Sequence, residues 1–302
     1  MSTPDVGNDG GRAAVPERLT DLIERLDDAG YLADEAIGTA LFLALQLGQP
    51  LLLEGEPGVG KTSAAKAVAE VLGTTLIRLQ CYEGIAANEA LYEWNFARQL
   101  LAARTAEARG ESIVADDLFS EEFLLDRPLL RAVRHTDGPA VVLLDEIDRA
   151  DDEFEALLYE FLGECAVTVP EIGTFTATHP PVGILTSNRT RELHDALKRR
   201  CLYHWIDYPG PQRAAAIVRR NVADSAQPLV TAATAFVHRA RDLDLDKPPG
   251  LAEAIAWVRA LSVLGVAELL GDAAARTLGA LAKTPDDLIA LRERLAQKST
   301  PG

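Results

Sequence analysis

Apolar and polar positions divide the chain into two regions with different periodicities. Between residues 16 and 206, short continuous apolar runs alternate with stretches in which apolar residues recur every three or four positions. Continuous runs are typical of buried parallel strands, and the 3.6-residue period is typical of amphipathic helices. From Gln212 to Gln297 only the helical period is present. This order predicts an α/β domain followed by a small all-α domain.

The continuous and alternating runs predict the strands of the first region. Five segments are predicted as single strands: Leu51–Glu54, Leu76–Cys81, Val141–Leu144, Val182–Ser187 and Leu202–Ile206. A sixth segment, Val167–Ala177, alternates around Pro170 and Gly173 and predicts a hairpin.

Helical periodicity and capping residues predict the helices between these strands. The predicted helices are Pro16–Gly30, a helix from Asp34 as its cap to Leu47, Lys61–Leu72, Asp151–Glu164 and a mostly helical stretch from Ala86 to Arg109. In the last stretch Tyr92, Trp94 and Phe96 are too closely spaced to share one helical face. They indicate either ordinary packing or contacts with a loop, an insert or another subunit. Thr284 before Pro285 predicts a further helix start.

The domain boundaries follow from local composition. Residues 1–15 are rich in Gly, Asp and Pro and lack an apolar signal core, which predicts a disordered tail. The Tyr208–Pro211 segment separates the two regions, so the predicted domains are 16–209 and 210–302.

Composition narrows the class of protein. The formal net charge of the 302 residues is -16, which opposes a general nucleic-acid binder, since phosphate backbones require concentrated Lys and Arg. The three cysteines are far apart and form no C-x-x-C pair, which indicates neither a disulfide framework nor a zinc site and fits a reducing cytoplasm. The longest apolar region, Ile37–Leu53, is too interrupted to span a membrane.

The segment after the first predicted strand carries the clearest chemistry. Gly55-Glu-Pro-Gly-Val-Gly-Lys-Thr62 fits the phosphate-binding pattern G-x-x-x-x-G-K-[ST]. Its glycines permit a turn whose N–H groups converge, and the following helix adds its positive N-terminal end. Lys61 is predicted to reach the β- and γ-phosphates, and Thr62 to offer its hydroxyl to Mg²⁺. The alternative is a strand–turn–helix connection with incidental glycines.

Acidic side chains follow the third predicted strand, in Val141-Val-Leu-Leu-Asp-Glu-Ile-Asp148. A carboxylate at the C-terminal end of a parallel strand lies where ligands bind in open α/β sheets. Asp145 is therefore predicted to hold Mg²⁺ through its water shell. Glu146 is predicted to orient and deprotonate an attacking water. The alternative is a strand that simply ends in an acidic turn.

Two weaker motifs follow. Asn188 ends the Thr186-Ser187-Asn188 run, where an amide could contact both a γ-phosphate and a water; asparagine is also a common turn residue there. Lys198-Arg-Arg-Cys201 either complements a helix dipole or supplies an arginine finger to a neighbouring subunit.

Together the four motifs resemble the AAA+ ATPases and, more narrowly, the MoxR family. The resemblance rests on Gly55–Thr62, Leu143-Leu-Asp-Glu-Ile-Asp148, Leu185-Thr-Ser-Asn188 and Ala196-Leu-Lys-Arg-Arg-Cys201. The segments Gln80-Cys-Tyr-Glu-Gly84 and Lys247-Pro-Pro-Gly-Leu-Ala-Glu253, with Trp257, are similar to the branch that accompanies carbon monoxide dehydrogenase and related molybdenum enzymes.

The resemblance implies a fold, an assembly and partners. The fold is an αβα nucleotide-binding domain with strand order 5-1-4-3-2, followed by a helical lid. The assembly is a hexameric ring that binds ATP and Mg²⁺ at subunit interfaces. The aromatic stretch corresponds to an insert in the family's second helix. The partners are an adaptor with a von Willebrand factor A domain and a metalloenzyme client.

The resemblance also implies roles for individual residues. The loop residues Glu56, Pro57, Gly58, Val59, Gly60, Lys61, Thr62 and Ser63 bind the nucleotide, with Thr62 and Asp145 at the metal. Glu146 is the base, Asn188 the first sensor, and Arg200 the finger with Arg199 as the second choice.

One departure from the family concerns the lid. The family often places an arginine at the start of a lid helix as a second γ-phosphate sensor, and Leu251 stands there in this chain. Neither Lys247 nor Arg259 fits that position well. The sequence therefore leaves three hypotheses: a remodelling ATPase, a nucleotide-gated binding module with negligible hydrolysis, and a DNA-acting AAA+ protein. A GTPase is opposed by the lack of an Asn-Lys-x-Asp motif.

Overall fold

The computed structural model describes residues 15–110, 114–222, 225–269 and 272–296. The predicted tail, 1–15, lies outside the described residues apart from Val15. Two compact units are present. The first comprises the described residues up to Glu54 together with Thr62–Trp205, and the second comprises Gly55–Lys61 together with the described residues from Ile206 onward.

The described residues form nine strands and fourteen α-helices. The strands are β1 Leu51–Gly55, β2 Leu76–Gln80, β3 Tyr92–Trp94, β4 Leu124–Asp126, β5 Val141–Asp145, β6 Ala166–Val169, β7 Gly173–Thr176, β8 Val182–Ser187 and β9 Leu202–Ile206. The helices are α1 Leu19–Asp28, α2 Glu35–Leu47, α3 Lys61–Val71, α4 Ala87–Ala90, α5 Phe96–Arg109, α6 Ala115–Leu118, α7 Pro128–Val133, α8 Asp152–Glu164, α9 Asp195–Lys198, α10 Pro211–Asn221, α11 Gln227–Ala240, α12 Leu251–Val263, α13 Asp272–Thr277 and α14 Pro285–Ala296.

A five-stranded sheet confirms the predicted fold class. Its strands lie in the order β2-β5-β8-β1-β9, and the pairs β2–β5, β5–β8 and β1–β8 are parallel. Counted among these five strands alone, the order read from the β9 edge is 5-1-4-3-2, as the resemblance implied. Every residue of β1 and β5 is buried, as expected of parallel strands covered on both faces.

Side-chain caps explain where several helices begin. The Asp34 carboxylate accepts a hydrogen bond from the Ile37 amide at the start of α2, and Asp151 does the same for Phe154 at the start of α8. Thr284 accepts from the Asp287 amide at the predicted start of α14. Such caps satisfy amides that have no partner within the first helical turn.

The stretch Ala86–Arg109 is mostly helical, as predicted, but it contains one short interruption. A three-residue strand, β3, separates α4 from α5 and pairs antiparallel with β4. Trp94 is buried and packs edge-on against Phe119 at a centroid distance of 5.1 Å, whereas Phe96 is 65% exposed. The Asn95 side chain then caps α5. Packing and strand pairing therefore account for the interruption between α4 and α5.

The remaining elements agree with the sequence pattern. β6 and β7 form the predicted antiparallel hairpin. After β9 the described residues form only helices, packed around buried residues such as Phe236 and Trp257. Among the helices of the described ranges, none combines the length and the apolar composition needed to cross a membrane.

Candidate functional site

The loop between β1 and α3 has the backbone that its glycines predicted. Gly58 and Gly60 have φ values of 79° and 102°, which side-chain-bearing residues rarely adopt. A Cβ at Gly55 would lie 2.5 Å from the Ile206 carbonyl oxygen, so this position has no room for a side chain. Glu56, Pro57 and the exposed Ser63 lie on the surface, and Val59 is buried.

Lys61, the first residue of α3, is held within this loop. Its side chain is buried, and the ammonium donates to the Gly55 carbonyl at 2.7 Å and to the Glu56 carbonyl at 2.8 Å. The loop therefore presents a fixed positive charge and a helix N-terminus side by side. That combination suits an anion such as phosphate.

Asp145 ends β5 and is almost completely buried. The Thr62 hydroxyl donates to its Oδ1 at 3.1 Å, and the Thr186 hydroxyl donates to the same atom at 2.5 Å. Thr62 is the second residue of α3, and Thr186 lies on the neighbouring strand β8. The structure thus brings together the two residues predicted to hold a metal, Thr62 and Asp145.

A cation that the sequence analysis missed contacts the same carboxylate. The Arg78 guanidinium, on β2, lies 2.6 Å from Asp145 Oδ2 and also bonds the Gln80 side chain. Strand pairing places it there, because β2 and β5 are neighbours. Arg78 is half exposed, so it can leave the carboxylate at low cost.

The donors at this position suit a hydrated Mg²⁺ ion. Mg²⁺ keeps several waters and is usually bound through one or two carboxylates and substrate phosphates. One carboxylate and one hydroxyl match that pattern. Over the described ranges, no group of three or more His, Cys, Asp or Glu residues could form an all-protein metal cage.

Glu146 has an unusual backbone conformation. Its φ and ψ are 57° and 50°, in the left-handed region, and its amide donates to the Thr186 hydroxyl at 2.9 Å. The carboxylate is one-third exposed and lies 3.2 Å from the Arg149 Nε. The acid that directly follows the buried Asp145 in the chain is therefore accessible to solvent.

The pKa of Cys81 responds to the negative charge of these acids. Burial, followed by the charges of Asp145, Asp148 and Glu146, raises the pKa of its thiol from 9.0 to about 12. Its amide donates to the Asp145 carbonyl at 2.8 Å. The thiol is therefore protonated at neutral pH.

Asn188 follows β8 directly and is partly buried. The preceding Ser187 donates to Glu54 Oε1 at 3.0 Å, and the Tyr203 hydroxyl donates to Glu54 Oε2 at 3.1 Å. Glu54 is a buried carboxylate that the sequence analysis treated only as the end of a strand. Because its partners Ser187 and Tyr203 are far away in the chain, no local pattern predicted these hydrogen bonds.

The two candidate finger arginines follow α9 and are both exposed. Arg200 lies over the Tyr159 ring at 4.9 Å and donates to the Ala196 carbonyl at 3.1 Å. Within the described ranges, the Arg199 side chain has no hydrogen bond or ion pair. Lys198 pairs with Glu192 at 3.0 Å.

One cation of the helical region, Arg241, contacts the loop. It pairs with Glu56, and its side chain is 15% exposed. Among the positions considered from sequence, Leu251 is buried at the start of α12, and the Arg259 side chain donates to the Asn221 carbonyl. Lys247 is exposed, and its backbone amide donates to Asp287.

Comparison with known proteins gives a family match and several fold likenesses. Midasin from Giardia intestinalis is 32% identical over 108 residues, which are 36% of this chain and 2% of midasin. The chain therefore spans a very small part of that relative. A RuvB Holliday junction branch migration motor from Thermotoga maritima is 15% identical with a TM-score of 0.47, covering 89% of this chain and 70% of that chain.

A second Thermotoga maritima RuvB structure, of a mutant, is 18% identical with a TM-score of 0.48, covering 87% of this chain and 70% of that chain. The family match is more extensive. The AAA domain of the dynein-related subfamily matches residues 50–201, which include the loop, Asp145 and β8. Because this match covers half of the chain, the protein belongs to the AAA domain family, in its dynein-related subfamily.

Proposed function

We propose that this protein binds and hydrolyses MgATP and uses the cycle to remodel another protein. The observation that carries the proposal is the buried Asp145 carboxylate, which accepts from the hydroxyl of Thr62. Thr62 directly follows Lys61 in the chain, so the loop lysine and a residue bonded to the proposed metal carboxylate are adjacent in sequence.

The loop residues Glu56–Ser63 would hold the triphosphate. Converging amides, the N-terminus of α3 and Lys61 supply the positive potential that phosphate requires. Thr62 and Asp145 would hold Mg²⁺, which neutralises charge on the phosphate oxygens when bound. Arg78 would then release Asp145, because the metal and the guanidinium compete for the same carboxylate.

Glu146 is the proposed general base. Its carboxylate is solvent-accessible, and the residue directly follows the proposed metal carboxylate, Asp145, in a left-handed turn. Asn188 would orient the attacking water, since an amide both donates and accepts hydrogen bonds. Arg200, or Arg199 as the second choice, would reach the nucleotide of a neighbouring subunit.

The assembly, domains and partners are part of the proposal. The ATPase domain would comprise residues 16–209 and the lid residues 210–302. Subunits would form a hexameric ring in the cytoplasm. The MoxR resemblance supports an adaptor with a von Willebrand factor A domain and a metalloenzyme client that matures with the help of this protein.

A second candidate is a nucleotide-gated binding module with little hydrolysis. Leu251, at the position of the family's second sensor, favours this alternative. The net charge of -16 opposes a DNA-acting protein.

The test is ATP turnover by the Glu146→Gln variant. Loss of a general base lowers turnover by about 10²–10⁴-fold, while the affinity for a fluorescent ATP analogue stays near the wild-type value. Glu153→Gln, an exposed acid on α8, is the matched control and keeps wild-type turnover. If wild-type turnover is no higher than that of Glu146→Gln and the protein assembles only with nucleotide, the proposed function would change from an ATPase to a nucleotide-gated binding module.

A further inference from the structure

Arg241 is held in one orientation by three contacts. It directly follows α11, and its guanidinium carbon lies 4.0 Å from the centre of the Tyr208 ring. Nη1 donates to the Pro249 carbonyl at 3.0 Å, and Nη2 pairs with a carboxylate oxygen of Glu56. Only 15% of the Arg241 side chain is exposed, so the cation is fixed rather than freely mobile.

The negative charge of Glu56 is unfavourable for phosphate binding at its position in the loop. It is the second residue of the phosphate loop, and its own carbonyl accepts from the Lys61 ammonium. A carboxylate this close to the predicted phosphate position would repel a triphosphate. The Arg241 guanidinium is the charge that offsets it.

Close packing holds the loop against the start of α12. A Cβ at Gly250 would lie 2.9 Å from the Pro57 carbonyl oxygen and 3.3 Å from the Gly58 Cα. The Glu253 carboxylate accepts from the Gly250 amide at 3.0 Å. Because backbones meet here without side chains between them, the backbone of the loop next to Glu56 is held close to the start of α12.

The electrostatic environment of Tyr208 is consistent with this arrangement. Burial is the main reason that its pKa rises from 10.0 to about 12. Arg241 lowers it, whereas Glu253 and Glu56 raise it. Arg241, Glu253 and Glu56 therefore all affect the pKa of Tyr208.

We propose that Arg241 is a positioning residue for the nucleotide, which acts by neutralising Glu56 and so lets the loop accept a triphosphate. This inference rests on the proposed MgATP binding. It differs from a second γ-phosphate sensor, because Arg241 acts through a protein carboxylate and needs no contact with the nucleotide. A purely structural role would make the loss of affinity independent of phosphate charge and insensitive to Glu56.

The test is a double-mutant cycle read by nucleotide affinity in the full-length protein. Arg241→Ala weakens ATP binding by about tenfold, because a half-exposed carboxylate is left unpaired beside the phosphates. The loss decreases from ATP to ADP to AMP, since the repulsion scales with phosphate charge. Adding Glu56→Gln to Arg241→Ala restores affinity to within about twofold, and Arg241→Lys falls between the two.

A further variant keeps the test independent of folding. Arg259→Ala removes one positive charge from α12 in the same unit and leaves ATP affinity unchanged.

Unchanged ATP affinity in Arg241→Ala would overturn the inference while leaving ATP binding intact. A double variant as weak as Arg241→Ala, or equal losses for ATP and AMP, would also overturn it. Wild-type protein with no measurable ATP affinity would instead overturn the proposed function and the inference with it.

Discussion

Asp145 and Glu54 lie at the carboxyl ends of the two strands that flank β8: Asp145 is the last residue of β5, and Glu54 is the last but one of β1. The two carboxylates have different hydrogen-bond partners. Both are buried carboxylates, and each accepts a hydroxyl from β8: Thr186 bonds Asp145, and Ser187 bonds Glu54. The second hydroxyl comes from Thr62 for Asp145 and from Tyr203, on β9, for Glu54.

The difference indicates a difference in role. Thr62 follows the phosphate loop, so the partners of Asp145 connect it to the proposed ligand. Tyr203 belongs to the edge strand of the sheet, so the partners of Glu54 connect strands to one another. The proposed function therefore gives Asp145 a role in metal binding, whereas the hydroxyl partners of Glu54 tie it to β8 and β9. The sequence pattern around both acids is that of the end of an apolar strand.

The largest expected effect separates these roles directly. Asp145→Asn lowers ATP turnover by about 10³-fold, since it removes several kcal/mol of metal-dependent stabilisation. Glu54→Gln lowers the free energy of unfolding by about 1–3 kcal/mol, because a buried hydrogen-bonded charge is replaced, and leaves the Mg²⁺ dependence of turnover unchanged. Turnover assays and denaturant titrations of both variants measure the contrast. A large loss of Mg²⁺-dependent turnover in Glu54→Gln would remove the distinction.

Thiol alkylation of Cys81 tests the electrostatic environment of Asp145. The raised pKa of Cys81 makes its alkylation at pH 8 about 10³-fold slower in the folded protein than in the unfolded chain. Cys201, whose pKa is also about 12, is the matched control, because burial raises its pKa and the nearby charge that affects it is the cation Arg200. Mass spectrometry of alkylated peptides measures both sites. Added MgATP accelerates Cys81 more than Cys201, and equal rates with and without MgATP would contradict metal binding at Asp145.

The same shift predicts how stability depends on pH. The folded-state pKa of Cys81 lies above the ordinary value of 9.0, so the unfolded chain loses this proton first as the pH rises. The contribution of Cys81 to stability is therefore complete below pH 9 and is lost between about pH 9 and pH 12.

The smallest expected effect concerns Arg78. Arg78→Gln lowers the Mg²⁺ concentration for half-maximal turnover by about two- to fivefold, because a half-exposed ion pair no longer competes with the metal. Arg104→Gln, an exposed change on α5, is the control and leaves the Mg²⁺ requirement unchanged. An increased Mg²⁺ requirement in Arg78→Gln would show that Arg78 assists metal binding instead.

Local patterns predicted the parts of the site that are contiguous in the chain. The loop glycines, Lys61 and the strand exit at Asp145 all follow from spacing within a few residues. The fold class also follows, because strand and helix periods alternate over a long stretch. The roles predicted for Glu146, Asn188 and Arg200 stay predictions until activity is measured.

Contacts between distant segments could not be predicted in the same way. Arg78 reaches Asp145 only because β2 pairs with β5, and Arg241 pairs with a residue 185 positions away. The three-residue strand β3 was not predicted for the same reason, since its partner β4 lies about 30 residues later in the chain. Strand order and long-range packing decide these contacts, and residue spacing does not encode them.

The left-handed conformation of Glu146 has a consequence for natural variation. A non-glycine residue in this region costs about 1 kcal/mol relative to glycine, so the fold would be more stable with glycine there. Glycine would at the same time remove the proposed base. Under the proposed function, selection at this position would set stability against activity, and a sequence released from the need for hydrolysis would gain stability by replacing the acid with glycine.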